Sequence, residues 1–169
     1  MQITEHFSLE EMTKSHALDV YRRTTDTLED NLPTQTVMNN LRSLCNTLEY
    51  IRHGIGDHPI HINSGYRSPM VNKLVGGSAG SLHKQGRAAD LSFDEPHDFW
   101  HAFFLASTSP NVTECFASYK SAGSRWLHVG IAMPGCETST MRIGVDFDGR
   151  VFNDWCEKGF AGLKIFADF

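Results

Sequence analysis

Long apolar runs are missing from the 169-residue sequence, in which no stretch comes near the roughly 18 apolar residues that a membrane-spanning helix needs. The N-terminal segment MQITEHFSLEEMTKS also lacks a basic start followed by an apolar run, which is the pattern of a secretory signal. We therefore expect no membrane span and no signal peptide. The protein is expected to be cytoplasmic until it is released or delivered by something else.

A C-x-x-C pair is missing as well, although the sequence contains four cysteines. Thiolate zinc sites and dithiol redox motifs use that spacing, so neither is expected here. Without a secretory signal, we expect free thiols in a reducing compartment. The residues concerned are Cys45, Cys115, Cys136 and Cys156.

Positive charge is in deficit, because 15 Lys and Arg against 20 Asp and Glu give a net charge of -5 at pH 7. A surface that binds nucleic acid needs an excess of Lys and Arg, so no nucleic acid partner is expected. The sequence has no internal repeats or low-complexity segments. Its length, with 40% hydrophobic and 21% charged residues, fits one globular domain over residues 1–169. The oligomeric state is left open.

Apolar residues at helical spacing predict two main helices, and the longer one has such residues over four turns. The second begins with a proline in its first turn and has an aromatic stripe. Two shorter helices are predicted, one of them after a capping box in which Ser8 and Glu11 satisfy each other's backbone donors. The four helices are predicted over residues 9–15, 36–53, 69–75 and 96–107.

Strands are predicted at the remaining apolar segments, over residues 59–64, 89–93, 112–119 and 126–131, with a strand pair over 141–152. We expect an α+β fold in which a small antiparallel sheet carries Asp90 and His128. The helices 36–53 and 96–107 pack on one side of it, and an open cleft holds the site. The polar segment 24–33 is expected to be loop. The aromatic tail 155–169 is expected to pack on the domain or on a partner subunit.

Two histidines and one aspartate form the candidate metal site. His83 and Asp90 lie seven residues apart, and His128 lies in a strand segment whose side chains alternate between two faces. Two His and one Asp suit Zn²⁺ with a fourth position left open for water, as in catalytic zinc sites. The alternative is that these are three unconnected polar residues among the nine histidines and the carboxylates of the chain.

Arg67 follows the turn at Gly65 and has two interpretations. It is either a surface cation in a salt bridge, or a residue whose planar guanidinium binds a carboxylate or a developing oxyanion. We predict a catalytic role for Arg67 and substrate-binding roles for Tyr66 and Ser81. Tyr66 is equally compatible with a packing role.

Several motifs agree in order and spacing with one known family. The chain resembles the zinc D-Ala-D-Ala carboxypeptidases and related peptidoglycan peptidases, especially the short phage-type members. The resemblance implies that His83, Asp90 and His128 are zinc ligands, that Arg67 grips a peptidoglycan peptide substrate, and that Ser81 supports the first ligand. The motifs are SGYRSP, Asn72, VGGS, Ser81-x-His83-x-x-Gly86-x-Ala88-Ala89-Asp90 and Trp126-x-His128-Val129.

The chain departs from this family at one position. Better-known members carry an Asp or Glu three residues before the last histidine as the general base, and here that residue is Arg125, which cannot accept a proton. We predict that Glu114 is the base, because a hairpin after its strand would bring it beside His128. Glu114 is otherwise a solvent-facing strand residue. The alternative carboxylates are Asp94, Asp146 and Asp148.

Two functions from different classes follow from these motifs. The first is a zinc-dependent peptidoglycan peptidase of the carboxypeptidase or endopeptidase type, which would need to be delivered to the cell wall. The second is a non-catalytic, zinc-stabilised binding or virion-structural module of the same fold, which the arginine at position 125 favours.

Overall fold

The computed structural model describes residues 1–25, 29–120, 123–136 and 140–157. Within these ranges the chain forms five α-helices, one 3₁₀-helix and six strands. In chain order they are α1 (Leu9–Thr13), α2 (His16–Thr25), α3 (Gln35–Gly54), β1 (His61–Ser64), α4 (Pro69–Leu74), the 3₁₀-helix (Leu82–Gln85), β2 (Ala88–Ser92), α5 (Pro96–Thr108), β3 (Val112–Tyr119), β4 (Arg125–Ile131), β5 (Thr140–Phe147) and β6 (Arg150–Glu157).

The strands form one sheet in the order β1-β2-β4-β3-β5-β6. The α+β architecture expected from the sequence is confirmed. The expectation of an all-antiparallel sheet needs one correction, because β3 and β5 pair in parallel while the other four pairs are antiparallel. The end of β4 lies beside the start of β3. The next strand, β5, begins near that end and pairs with the other edge of β3, so it runs in the same direction as β3.

The hydrophobic core lies between the sheet and the helices α3 and α5. Residues of all three contribute fully buried side chains to a single apolar cluster. Both helices agree with their predicted ranges to within two residues. A Cβ at Gly54 would meet the end of the Leu105 side chain, so glycine at the end of α3 leaves room for this side chain of α5. The buried residues include Leu41, Leu44, Leu48 and Ile51 of α3, Phe99 and Phe103 of α5, and Leu91, Leu127 and Val129 of the sheet.

The N-terminal region contains one predicted and one unpredicted helix. The capping box is present, since the Ser8 side chain accepts from the Glu11 backbone N–H and the Glu11 side chain accepts from the Ser8 backbone N–H. Helix α2 was not predicted, and it extends two residues into the segment expected to be loop. Leu18 is its one buried residue, although Ala17, Leu18, Val20 and Tyr21 do recur at helical spacing.

Asn31 ties this region to the turn after β1. Its side-chain Nδ2 donates to the carbonyl oxygens of Thr13, at 2.7 Å, and Tyr66, at 2.9 Å, and its Oδ1 accepts from the Ser68 backbone N–H at 2.6 Å. The residue is only 6% exposed. A Cβ at Gly65 would collide with the backbone of Met12, so the turn needs glycine there.

Replacing Asn31 with alanine is expected to destabilise the fold by about 2 kcal/mol or more, because buried backbone groups of three residues lose their partner. Urea unfolding followed by circular dichroism measures the change. The matched control is Asn39→Ala on the exposed face of α3, where alanine improves helix propensity and stability should not fall. Equal stability of the Asn31 and Asn39 variants would contradict this role.

Three further expectations concern cysteines, membrane spans and the tail. Cys45, Cys115 and Cys136 form no disulfide with one another, while the side chain of Cys156 lies outside the described residues. None of the helices described is long and apolar enough to cross a bilayer. The expected packing of the tail 155–169 lies almost wholly outside the described residues.

Candidate metal centre

The 3₁₀-helix and the turn after it present His83. The turn needs Gly86, which has a positive φ of 66° and lies so close to α3 that a Cβ would be 2.8 Å from Val37 Cγ1. His83 is 4% exposed, and its Nδ1 lies 2.7 Å from the Gly65 carbonyl oxygen. A carbonyl only accepts hydrogen bonds, so Nδ1 carries the hydrogen and Nε2 keeps its lone pair. Nε2 faces Asp90 Oδ1 at 3.3 Å.

Asp90 and His128 are direct partners in the antiparallel β2–β4 register. His128 Nδ1 lies 2.8 Å from Asp90 Oδ1. The neighbours Leu127 and Val129 are fully buried on the other face of the sheet. The alternation expected from the sequence thus turns His128 away from the core and towards the cleft.

One ligand atom from each of His83, Asp90 and His128 lies within 4.8 Å of the other two. Two imidazoles and a carboxylate are typical donors for Zn²⁺. The hydrogen bond from His83 Nδ1 to a carbonyl also fixes a tautomer that can bind metal through Nε2. The donor set therefore fits a zinc ion, and three protein ligands leave a coordination position open.

Glu114 lies directly beside this group, opposite Gly130 in the β3–β4 register. Its Oε2 is 3.2 Å from His128 Nε2. A Cβ at Gly130 would be 2.8 Å from Leu82 Cδ1 and 3.1 Å from Glu114 Cβ, so glycine leaves the room in which Glu114 reaches the histidine. The hairpin predicted from sequence does bring Glu114 beside His128, although residues 121–122 within it lie outside the described ranges.

Burial and neighbouring charges shift the pKa values of these groups in opposite directions. Burial would raise the pKa of Asp90, but hydrogen bonds with His128 and His83 hold it well below its usual value. The hydrogen bond with His128 lowers the pKa of Glu114 against the effect of burial, and the Arg142 charge adds to the lowering. Burial alone would lower the pKa of His128, but the carboxylates of Asp90 and Glu114 outweigh it and raise the pKa to about 9.

Arg67 forms a salt bridge with Asp90, one of the three candidate ligands. Its Nη2 donates to Asp90 Oδ2 at 2.6 Å, and its Nε donates to Ser64 Oγ at 2.8 Å. The salt-bridge interpretation of Arg67 is therefore realised, although the partner is a residue of the candidate metal site. Ser81 lines the cleft and precedes the 3₁₀-helix as its N-cap.

Tyr66 lies in the core, which is the environment of the packing role that the sequence left open. It is 6% exposed and belongs to the hydrophobic core cluster. It is also absent from the residues that line the cleft. The structure therefore favours its packing role, and the substrate-binding role of Tyr66 stays a prediction.

Sequence reasoning missed Arg142 on β5. Its Nη1 lies 3.3 Å from Glu114 Oε1, and its guanidinium carbon lies 5.4 Å from the centre of the Phe116 ring. The five charged or polar groups Arg67, Asp90, His128, Glu114 and Arg142 thus form an alternating row of cations and acceptors. The row follows the sheet order from the turn after β1 to β5.

The group opens into a cleft of about 850 Å³. Among the residues that the structure describes, Glu114 and Asp90 are the carboxylates that line it. The alternative bases lie elsewhere in the described structure. Asp94 pairs with His61 at 3.0 Å, Asp146 pairs with Lys120 at 2.6 Å, and Asp148 is in the β5–β6 turn.

Comparison with known proteins agrees with the resemblance noted from the motifs. Residues 5–129 match the family model of peptidase M15. The zinc D-Ala-D-Ala carboxypeptidase of Streptomyces albus G is 50% identical over 44 residues, a segment that covers 26% of this chain and 17% of that protein. The matched segment is thus a small part of that relative. Since the family model covers more than half of the sequence, the chain belongs to the peptidase M15 family.

Proposed function

We propose that this protein is a zinc-dependent peptidase that hydrolyses a peptide bond in the stem or cross-bridge peptides of peptidoglycan. The observation that carries the proposal is the convergence of His83, Asp90 and His128 within 4.8 Å beside a carboxylate in an open cleft. The substrate class is taken from the Streptomyces relative, whose name describes a carboxypeptidase for D-Ala-D-Ala.

The zinc ligands in this proposal are His83 through Nε2, Asp90 through Oδ1 and His128 through Nδ1. When bound, zinc lowers the pKa of water and polarises the carbonyl to be cleaved. Glu114 holds His128 Nε2 and leaves Nδ1 to bind the metal. Hydrogen bonding of the outer ring nitrogen to a carboxylate is a common support for metal-binding histidines.

Glu114 is also the general base of the proposed reaction, and for this its Oε2 must exchange the contact with His128 Nε2 for one with water. Its lowered pKa makes it a carboxylate at neutral pH, so it can accept a proton from water and pass it to the leaving amine. Arg67 holds Asp90 Oδ2 at 2.6 Å, which keeps Oδ1 directed towards both histidines. Its role is to orient the ligand and to add positive charge where an oxyanion develops. Ser81 supports the turn that carries His83.

Zinc uptake is expected to release a proton. The raised pKa of about 9 means that His128 is protonated on both ring nitrogens below this pH, and Nδ1 must lose its hydrogen before it can bind a metal. Apparent zinc affinity should therefore fall by about tenfold per unit as pH drops below about 9. Titration calorimetry at pH 7.5 in two buffers of different ionisation enthalpy measures the release. Identical enthalpies in both buffers would refute it.

Arginine at position 125 supports a second candidate, a non-catalytic module that zinc stabilises. The two functions are separated by incubating zinc-loaded protein with isolated cell walls and measuring released amino groups. Mass spectrometry of the products distinguishes loss of a terminal D-Ala from cleavage of an internal bond. Protein stripped by a chelator, and the same protein with zinc restored, are the controls. Stoichiometric zinc binding without any amino-group release would leave the non-catalytic module as the function.

A further inference from the structure

Three arginines line the cleft, and they differ in their hydrogen-bond and salt-bridge partners. Arg67 contacts the carboxylate of Asp90 at 2.6 Å, and Arg142 contacts that of Glu114 at 3.3 Å. Both cations are thus paired with carboxylates of the site. Arg125, the first residue of β4, is the third.

Arg125 has no carboxylate within ion-pair distance among the described residues. Its Nη2 donates to the backbone carbonyl of Asp94 at 2.6 Å, which is a neutral acceptor. Its Nε is buried and has no hydrogen-bond partner. No carboxylate of the described residues compensates the charge of this guanidinium, so a ligand that brings an anionic oxygen to its outer edge would gain a charge-assisted hydrogen bond.

We propose that Arg125 binds a carboxylate of the substrate peptide and makes the site selective for peptides that carry one. This inference rests on the proposed peptidase function and names the substrate class of the same cleft. Arg67 is held by Asp90 and Ser64, so recognition of a substrate carboxylate falls to Arg125. A planar guanidinium binds a carboxylate through two parallel hydrogen bonds.

The location of Arg125 fits this role. It lines the same cleft as the candidate ligands, and it lies three residues before His128, a distance of about 10 Å along a strand. Trp126, between them, is 41% exposed and lines the cleft. An acidic residue at position 125 would repel a carboxylate there, whereas arginine attracts it.

The test measures binding of three acetylated probe peptides by titration calorimetry. One ends in D-Ala-D-Ala with a free carboxylate, the second is its C-terminal amide, and the third is that amide with an acidic side chain added. Wild type is expected to bind the free carboxylate, or the acidic side chain, at least about 10-fold more tightly than the amide. Arg125→Gln should remove that preference, and Arg125→Lys should restore part of it. Arg23→Gln, on exposed α2, is the control.

The possible outcomes distinguish the carboxylate-binding subsite at Arg125 from the peptidase activity of the cleft. Carboxylate-dependent binding that Arg125→Gln abolishes, without hydrolysis of the peptide or of cell walls, would support the subsite and reject the peptidase. Hydrolysis that is equally fast for carboxylate and amide, and unaffected in both Arg125 variants, would reject the subsite and leave the peptidase intact. Equal weakening of all three probes by Arg125→Gln would also overturn the subsite, because it would indicate a structural role.

Discussion

Alanine in place of His83 is expected to abolish stoichiometric zinc binding and the hydrolysis of cell-wall peptides. The change removes one of three donors, and the remaining pair of Asp90 and His128 cannot form the three-ligand site that catalytic zinc requires. Loss of a supporting group alone lowers metal affinity about 10–100-fold, so loss of a ligand should exceed that range. Zinc content after dialysis and amino-group release from cell walls are the two measurements.

The control for this variant is His97→Ala, because the side chain of His97 is 84% exposed on α5. It should keep full zinc content and full rate. His83 is buried and donates to the Gly65 carbonyl, so its loss also costs about 1–3 kcal/mol of stability. A melting curve shows whether the variant is folded, and His83→Gln preserves a donor if alanine unfolds the protein. One equivalent of tightly bound zinc in a folded His83 variant would refute the ligand assignment.

Glutamine in place of Glu114 is expected to lower the hydrolysis rate by about 10²- to 10⁴-fold while zinc content stays at one equivalent. The amide has the shape of the carboxylate, and its oxygen can still accept from His128 Nε2. It cannot accept the proton of water. A lower rate at unchanged zinc content would identify Glu114 as a base and not as a zinc ligand. The hydrolysis rate and the zinc content are measured on the same preparation.

Asp146→Asn is the matched control, because Asp146 is a sheet carboxylate that pairs with Lys120 outside the cleft. Its rate should equal that of wild type. If Glu114→Gln retains the wild-type rate, another group takes the proton and the assignment of Glu114 fails. If zinc is lost together with activity, Glu114 acts mainly by holding His128.

The sequence predicted the parts of this fold that depend on local pattern. Helical periodicity placed α3 and α5, strand alternation turned His128 away from Leu127 and Val129, and the family motifs led to peptidase M15 membership. These features depend on neighbours within a few residues or on motif spacing, which a single sequence displays directly.

What the sequence did not predict depends on contacts between distant segments. The parallel pairing of β5 with β3 brings Arg142 to Glu114 across 28 positions of the chain. The engagement of Arg67 with Asp90 spans 23 positions. Neither of these two contacts produces a periodic pattern in the sequence. Helix α2 was not predicted although its few apolar residues recur at helical spacing, because most of its ten residues are polar and only Leu18 is buried.

The row of alternating charges from Arg67 to Arg142 crosses five neighbouring positions in the sheet order, a span of about 20 Å at the usual strand spacing. Substitutions so far apart normally have independent energetic effects. Here each group orients the next through a direct contact, so the two ends are thermodynamically coupled. The free-energy change of a double variant at Arg67 and Arg142 should therefore differ from the sum of the two single changes, even though the side chains never touch.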